Sequence, residues 1–173
     1  FKMTDTAFRR YELELPPVAA GAALELAFVG TGPANTASLI DDVVIERAGS
    51  DESVDALKNG GFEAVTTASP LVTTNWVCTS LAGVMTNSNP WSETVPYGTY
   101  MGYTSMTHAF SQTVTFAESG SYVLRFVTKT RAAYTLPQYH DFEVWFGGQR
   151  LARILNLGGD LRSYVLPLPP VTS

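Results

Sequence analysis

The chain has 173 residues, of which only 16% are charged while 45% are hydrophobic and 12% aromatic. That is one ordinary domain, too apolar for intrinsic disorder. A net charge of −5 speaks against nucleic acid, which needs a basic surface. The uncharged stretch 97–117 is rich in Gly, Thr, Ser and Tyr and carries His108 and Gln112, so no membrane insertion is expected.

Taken in chain order, the residues alternate with a period of two. In 10–15, Tyr11, Leu13 and Leu15 share one face against Arg10, Glu12 and Glu14. In 23–29 the apolar set is Leu24, Leu26 and Phe28, and 39–46 is a β-branched run around the pair Asp41–Asp42. The loop 28–35 superficially matches a dinucleotide fingerprint, but Pro33 and the following β-branched run predict a hairpin loop instead. The one candidate helix, 51–57, reads as part of a linker. Further strands are expected at 110–116, 122–127 and 142–146. Glu118–Ser119–Gly120–Ser121 predicts a hairpin, and Gly147–Gly148 a two-residue connection that tolerates positive φ. Many short strands with Gly/Pro turns predict an all-β sandwich. Cys78, the single cysteine, excludes an internal disulfide and reads as a small buried residue; Trp145 is expected in the core or between the sheets.

An internal match stands out. Phe8–Ala20 (FRRYELELPPVAA) reappears 153 positions later, 8 to 161, as Leu161–Ser173 (LRSYVLPLPPVTS), with seven identities in thirteen positions. The sequence opens on Phe1 and reads as a mature or excised piece covering slightly more than one period of a tandem array. On this reading residues 1–47 are the closing strands of one unit, 48–56 a linker, and 57–173 the opening and central strands of the next, making one sandwich in total. Residues 1–47 either fold back as a circular permutant or complete a neighbouring copy by strand donation. Tyr11, Leu13, Leu15, Tyr164, Leu166 and Leu168 are the expected assembly residues.

Several segments resemble galactose-binding-like jelly-roll domains, as found in extracellular carbohydrate-binding modules. Leu57-Lys-Asn-Gly-Gly-Phe-Glu63 resembles the opening strand, 110–116 and 120–126 the central strands, and 142–148 the next strand and turn. Ala23–Phe28 and Ser38–Glu46, with Ile-Asp-Asp-Val, are similar to the closing pair. The resemblance implies a non-catalytic jelly-roll sandwich outside the cell or on its surface. It also implies a structural Ca²⁺, with Glu63 and Asp41 or Asp42 as ligands, and oxygen-only ligation suits that hard cation.

His108 and His140 are the two histidines, and neither sits in a nucleophile or metal motif, so no catalytic residue is expected. Acidic pairs such as Glu118 with Glu143 or Asp141 carry no glycosidase signal. Aromatics in irregular segments are the candidates for stacking on sugar rings: Trp76, Trp91, Tyr97, Tyr100, Tyr103, Tyr134 and Tyr139. The expected function is therefore a structural repeat that assembles head to tail with copies of itself into a filament or surface array. The alternative is a glycan-binding module.

Overall fold

Alternating apolar residues can be buried only if a second layer covers their face, and in this chain the second layer is another sheet. A computed structural model describes residues 8–32, 36–50, 53–66, 72–88, 93–131 and 141–154. Their strands are β1 (Arg9–Glu14), β2 (Ala23–Gly30), β3 (Ala37–Arg47), β4 (Val65–Thr66), β5 (Val72–Thr73), β6 (Val77–Cys78), β7 (Ala82–Thr86), β8 (Tyr100–Ser105), β9 (Ala109–Thr115), β10 (Tyr122–Thr130), β11 (Phe142–Phe146) and β12 (Gln149–Ile154). One antiparallel sheet has the order β1-β10-β3-β8-β7 and the other β12-β11-β2-β9-β6, with β4 and β5 forming a small ribbon. The all-β sandwich expected from the sequence is the fold observed. Among the described residues there is no helix; within the expected helical stretch Ser53 bridges Glu46 and residues 55–57 turn.

In β2, β9 and β11 the inward faces are those of the alternation, whereas the inward set of β3, Ile40, Val43 and Ile45, is out of step with a period of two and β10 is buried on both faces. Leu26, Phe28, Ile40, Val43, Ile45, Phe110, Val114, Leu124, Phe126, Phe142, Val144 and Phe146 fill the space between the sheets. Phe28 is its hub, with ring centroids 5.1 Å from Phe110, 5.3 Å from Phe126 and 6.2 Å from Phe142. Gln112 intrudes on this face and is satisfied by Lys58, accepting from its amide at 2.7 Å and donating to its carbonyl at 2.8 Å. A smaller cluster of Leu39, Met85, Val95 and Met101 forms a second apolar group, with Phe8 and Tyr103 packed on it.

Strands β2 and β3 occupy the middle of their sheets. β2 lies between β11 and β9, and β3 between β10 and β8, all within one chain. The described strands of residues 1–47, β1 to β3, pair with strands of the same chain.

Two local readings need correction. Residues 116–121 do not make a hairpin: β9 pairs with β2 and β6, whereas β10 pairs with β1 and β3, so this turn carries the chain between sheets. The segment after β2 likewise crosses between sheets rather than closing a hairpin. Turn chemistry specifies a reversal, but whether the two strands pair or face each other depends on which face each must bury. Phe116 and Tyr122 face each other across the 116–121 crossing, with ring centroids at 4.7 Å. The Gly147–Gly148 connection is as expected, with φ of 55° and 80° closing the β11–β12 hairpin.

Candidate functional site

The residues expected to bind calcium are far apart in sequence, yet the fold gathers them around an irregularity in β3. Val44 pairs with Arg125 and Asp41 with Val127, so Asp42 and Val43 together oppose the single residue Phe126. This is a β-bulge, the kind of feature that re-aims side chains. Asp42 takes φ 51° there, and its amide donates to Asp41 Oδ1 at 2.8 Å. Beyond the bulge β3 no longer pairs with β8; the Val43 amide instead reaches the Gly60 carbonyl at 3.1 Å.

That carbonyl belongs to the turn Asn59-Gly-Gly-Phe62, whose geometry explains its composition. Asn59 has φ 53° and Phe62 φ 59°, and a positive φ is rare for so large a side chain as Phe. The Asn59 side chain holds the turn: its Nδ2 donates to Thr73 Oγ1 at 2.8 Å and to the Ala64 and Thr74 carbonyls at 3.0 Å, and its Oδ1 accepts from the Ala64 amide at 2.9 Å. The strained Phe62 puts its ring in the core, 5.3 Å from Trp76, and the next residue, Glu63, reaches the segment before β8. There Glu63 Oε1 accepts from the Thr99 and Tyr100 amides, both at 2.9 Å. Gly98, at φ 68°, is required for this approach, because a Cβ there would fall inside contact distance of the Glu63 carboxylate. Gly98 carries no motif that marks it in the sequence.

Asp41 is fully buried, and its Oδ2 has no hydrogen-bond partner. Burial pushes its carboxyl up to about 7; amides of Asp42 and Tyr97 oppose the shift, and the carboxylates of Asp42 and Glu63 add to it. Asp42 itself turns to the surface and pairs with Arg10 at 3.4 Å. Of the two adjacent carboxylates, Asp41 is therefore the one that faces Glu63's side of the bulge without compensation. An orphaned, buried carboxylate oxygen on the side of the Glu63 carboxylate suits a hard divalent cation. Among the described residues no group of three or more His, Cys, Asp or Glu side chains is arranged for a metal, so backbone carbonyls or water would have to complete such a shell.

The aromatic candidates do not form one platform. Trp76 is 4% exposed, stacks on Phe62, meets Phe110 edge-on, and donates its Nε1–H to the Asn59 carbonyl at 2.9 Å, which leaves no ring face for a sugar. Tyr100 and Tyr103 lie in β8, not in a loop, and three positions on a strand put them on opposite faces. Tyr100 packs on the main core and Tyr103 on the smaller cluster. Tyr97 remains half exposed. Trp91, Tyr134, Tyr139, His140, Tyr164, Leu166 and Leu168 lie outside the described residues. Trp145, expected inside, lies on the opposite face of β11 from Phe142, Val144 and Phe146, and donates to Glu143 at 3.0 Å. A cavity of about 600 Å³ between Arg47, Ser53–Ala56 and Thr115–Glu118 was not signalled by any motif; its charged groups are already paired, Arg47 with Glu118 and Asp55 with Lys58.

Tyr11, Leu13 and Leu15 serve the chain's own sandwich. Tyr11 stacks on Phe126 at 5.5 Å, Leu13 pairs with Leu124, and Leu15 is 5% exposed. No family model, no curated protein and no solved structure matches this chain.

Proposed function

We propose that this chain is a non-catalytic structural sandwich of the cell exterior, one unit of a repeating array whose copies join head to tail. The observation that carries the reading is how the internal match falls on the two faces of β1. Of the identical positions, 11, 13, 15 and 18 are turned to the interior and 17 is exposed; of the differing ones, 10, 12, 14, 19 and 20 are exposed and 8 is half-buried. Alternation alone is common to half-buried strands; what the match adds is the same order of Arg, Tyr, Leu, Leu, Pro-Pro and Val at the same spacing, as a second copy of one structural element would have. Ca²⁺ at Asp41 and Glu63 would act as a rivet between the β3 bulge, the turn at 59–62 and the entry to β8, and so stiffen the unit.

Light scattering on the full chain over a wide concentration range tests the assembly. Mass should rise with concentration; a monomer at every concentration overturns it. Half-exposed Tyr97 beside this site supports glycan binding as the second reading. A glycan array then gives signals that Tyr97→Ala abolishes.

A further inference from the structure

We propose that residues 161–173 are a second occupant for the β1 position on β10 of their own sandwich, so that β1 can be exchanged out of it. The inference rests on the repeat reading above and adds the partner surface.

The slot has definite requirements. It needs an aromatic ring against Phe126, an aliphatic residue opposite Leu124, another beside Tyr122, and a fourth beside Gly120; Tyr11, Leu13, Leu15 and Val18 supply these. Tyr164, Leu166, Leu168 and Val171 repeat the set at the same spacing, with Pro169–Pro170 standing where Pro16–Pro17 stand.

The departures cost the slot little. Ser163 and Val165 replace Arg10 and Glu12, whose ion pairs with Asp42 (3.4 Å) and Arg125 (2.9 Å) are at the surface, where such pairs contribute little. Pro167 replaces Glu14. The Leu15 amide donates across the ladder to the Tyr122 carbonyl, so by antiparallel alternation the neighbouring amide at position 14 faces the open edge. A proline is tolerated there.

The approach is also right in direction. With β1 and β12 as the first strands of two sheets stacked in the same sense, they share a flank of the sandwich. Ile154, the last residue of β12, pairs with Phe142, which pairs with Gly30. Gly30 is hydrogen-bonded to Thr104, Thr104 pairs with Ser38, and Ser38 pairs with Thr130 of β10. That is the end of β10 where β1 begins, since Arg9 pairs with Thr128. A chain leaving β12 is thus at the correct end to run along β10 as β1 does. The six intervening residues, 155–160, can span roughly 20 Å, against a sheet separation of about 10 Å.

Each chain therefore carries two strands for one edge, and whichever is displaced is complementary to the same edge on another copy. Two measurements on the full chain test this. In the first, Leu13→Asp should lower Tm by roughly 5 °C, Leu166→Asp alone by less, and the double variant by well over their sum; a double variant that melts with Leu13→Asp overturns the exchange. The second is read without a melting temperature. Glu12 and Arg125 are ladder partners and Val165 stands in the Glu12 position. In a Cys78→Ser background, Arg125→Cys/Val165→Cys should oxidise to an intrachain disulfide on a monomer, with Arg125→Cys/Glu12→Cys as the control. Formation of the control bond alone overturns the proposal. A 125–165 bond found only between chains overturns occupancy of the own slot while leaving head-to-tail assembly standing, and an intrachain bond in a strictly monomeric protein does the reverse.

Discussion

Asp41 is held as a buried acid, and that has a thermodynamic consequence. An acid whose folded-state pKa of about 7 lies above its ordinary 3.8 binds its proton more tightly when folded. Its contribution is full below the unfolded pKa and is lost progressively as pH rises through about 7. In chelator, Tm should therefore fall between pH 4 and pH 8, and Asp41→Asn should remove most of that slope; melts at four pH values check it. Millimolar Ca²⁺ should flatten the slope for the parent chain and leave Asp41→Asn unaffected, since a cation stabilises the carboxylate form. Gly98 belongs to the same site: Gly98→Ala forces a side chain into positive φ and against Glu63, at a cost of about 1–3 kcal/mol by urea unfolding. Asp41 and Asp42 stood out in the sequence as charges within an apolar run, and Glu63 through the resemblance of 57–63 to a jelly-roll opening strand. Gly98 did not, because the carboxylate it makes room for is 35 residues away (63 to 98).

Among the elements, β10 has the most varied surroundings. On one side it carries β1, on the other β3, and at its end Lys129 pairs with Glu93 at 2.6 Å, both side chains being under a tenth exposed. The Phe8 ring lies 4.9 Å from the same ammonium. Removing one partner leaves a buried charge without its counter-ion, so Glu93→Gln should cost about 3–5 kcal/mol in denaturant unfolding. Glu93→Leu with Lys129→Met should recover most of it, because two apolar groups of similar volume need no partner. Strands β1, β2, β9, β10 and β11 could be read from alternation and β3 from its β-branched run. Strands β4 to β6 are two residues long, β7 carries Gly83 and no alternation of polar residues, and β8 contains Gly102, whose Cβ would meet the Phe62 ring at 2.6 Å. Such a strand is marked by the space it must leave, not by an apolar face of its own.

For the whole molecule, the central placement of β2 and β3 ties both sheets to one cooperative unit. Far-UV dichroism and tryptophan fluorescence should give coincident urea transitions, and Phe28→Ala should shift both together by about 3–5 kcal/mol. Separate transitions would mean that residues 1–47 and the remainder unfold independently. By itself the sequence determined the fold class, the inward faces of β1, β2 and β9, the acidic pair at 41–42, and the match of 161–173 to 8–20. Those are local properties, written in period and spacing. Only the tertiary structure decided that β9 and β10 lie in different sheets instead of pairing, that Trp76 is core, that Tyr100 and Tyr103 diverge, and that Asp41, Glu63 and Gly98 meet at one bulge. Alternation states which side chains must leave water, but not which distant strand will cover them; that choice is made by packing complementarity among all the faces at once.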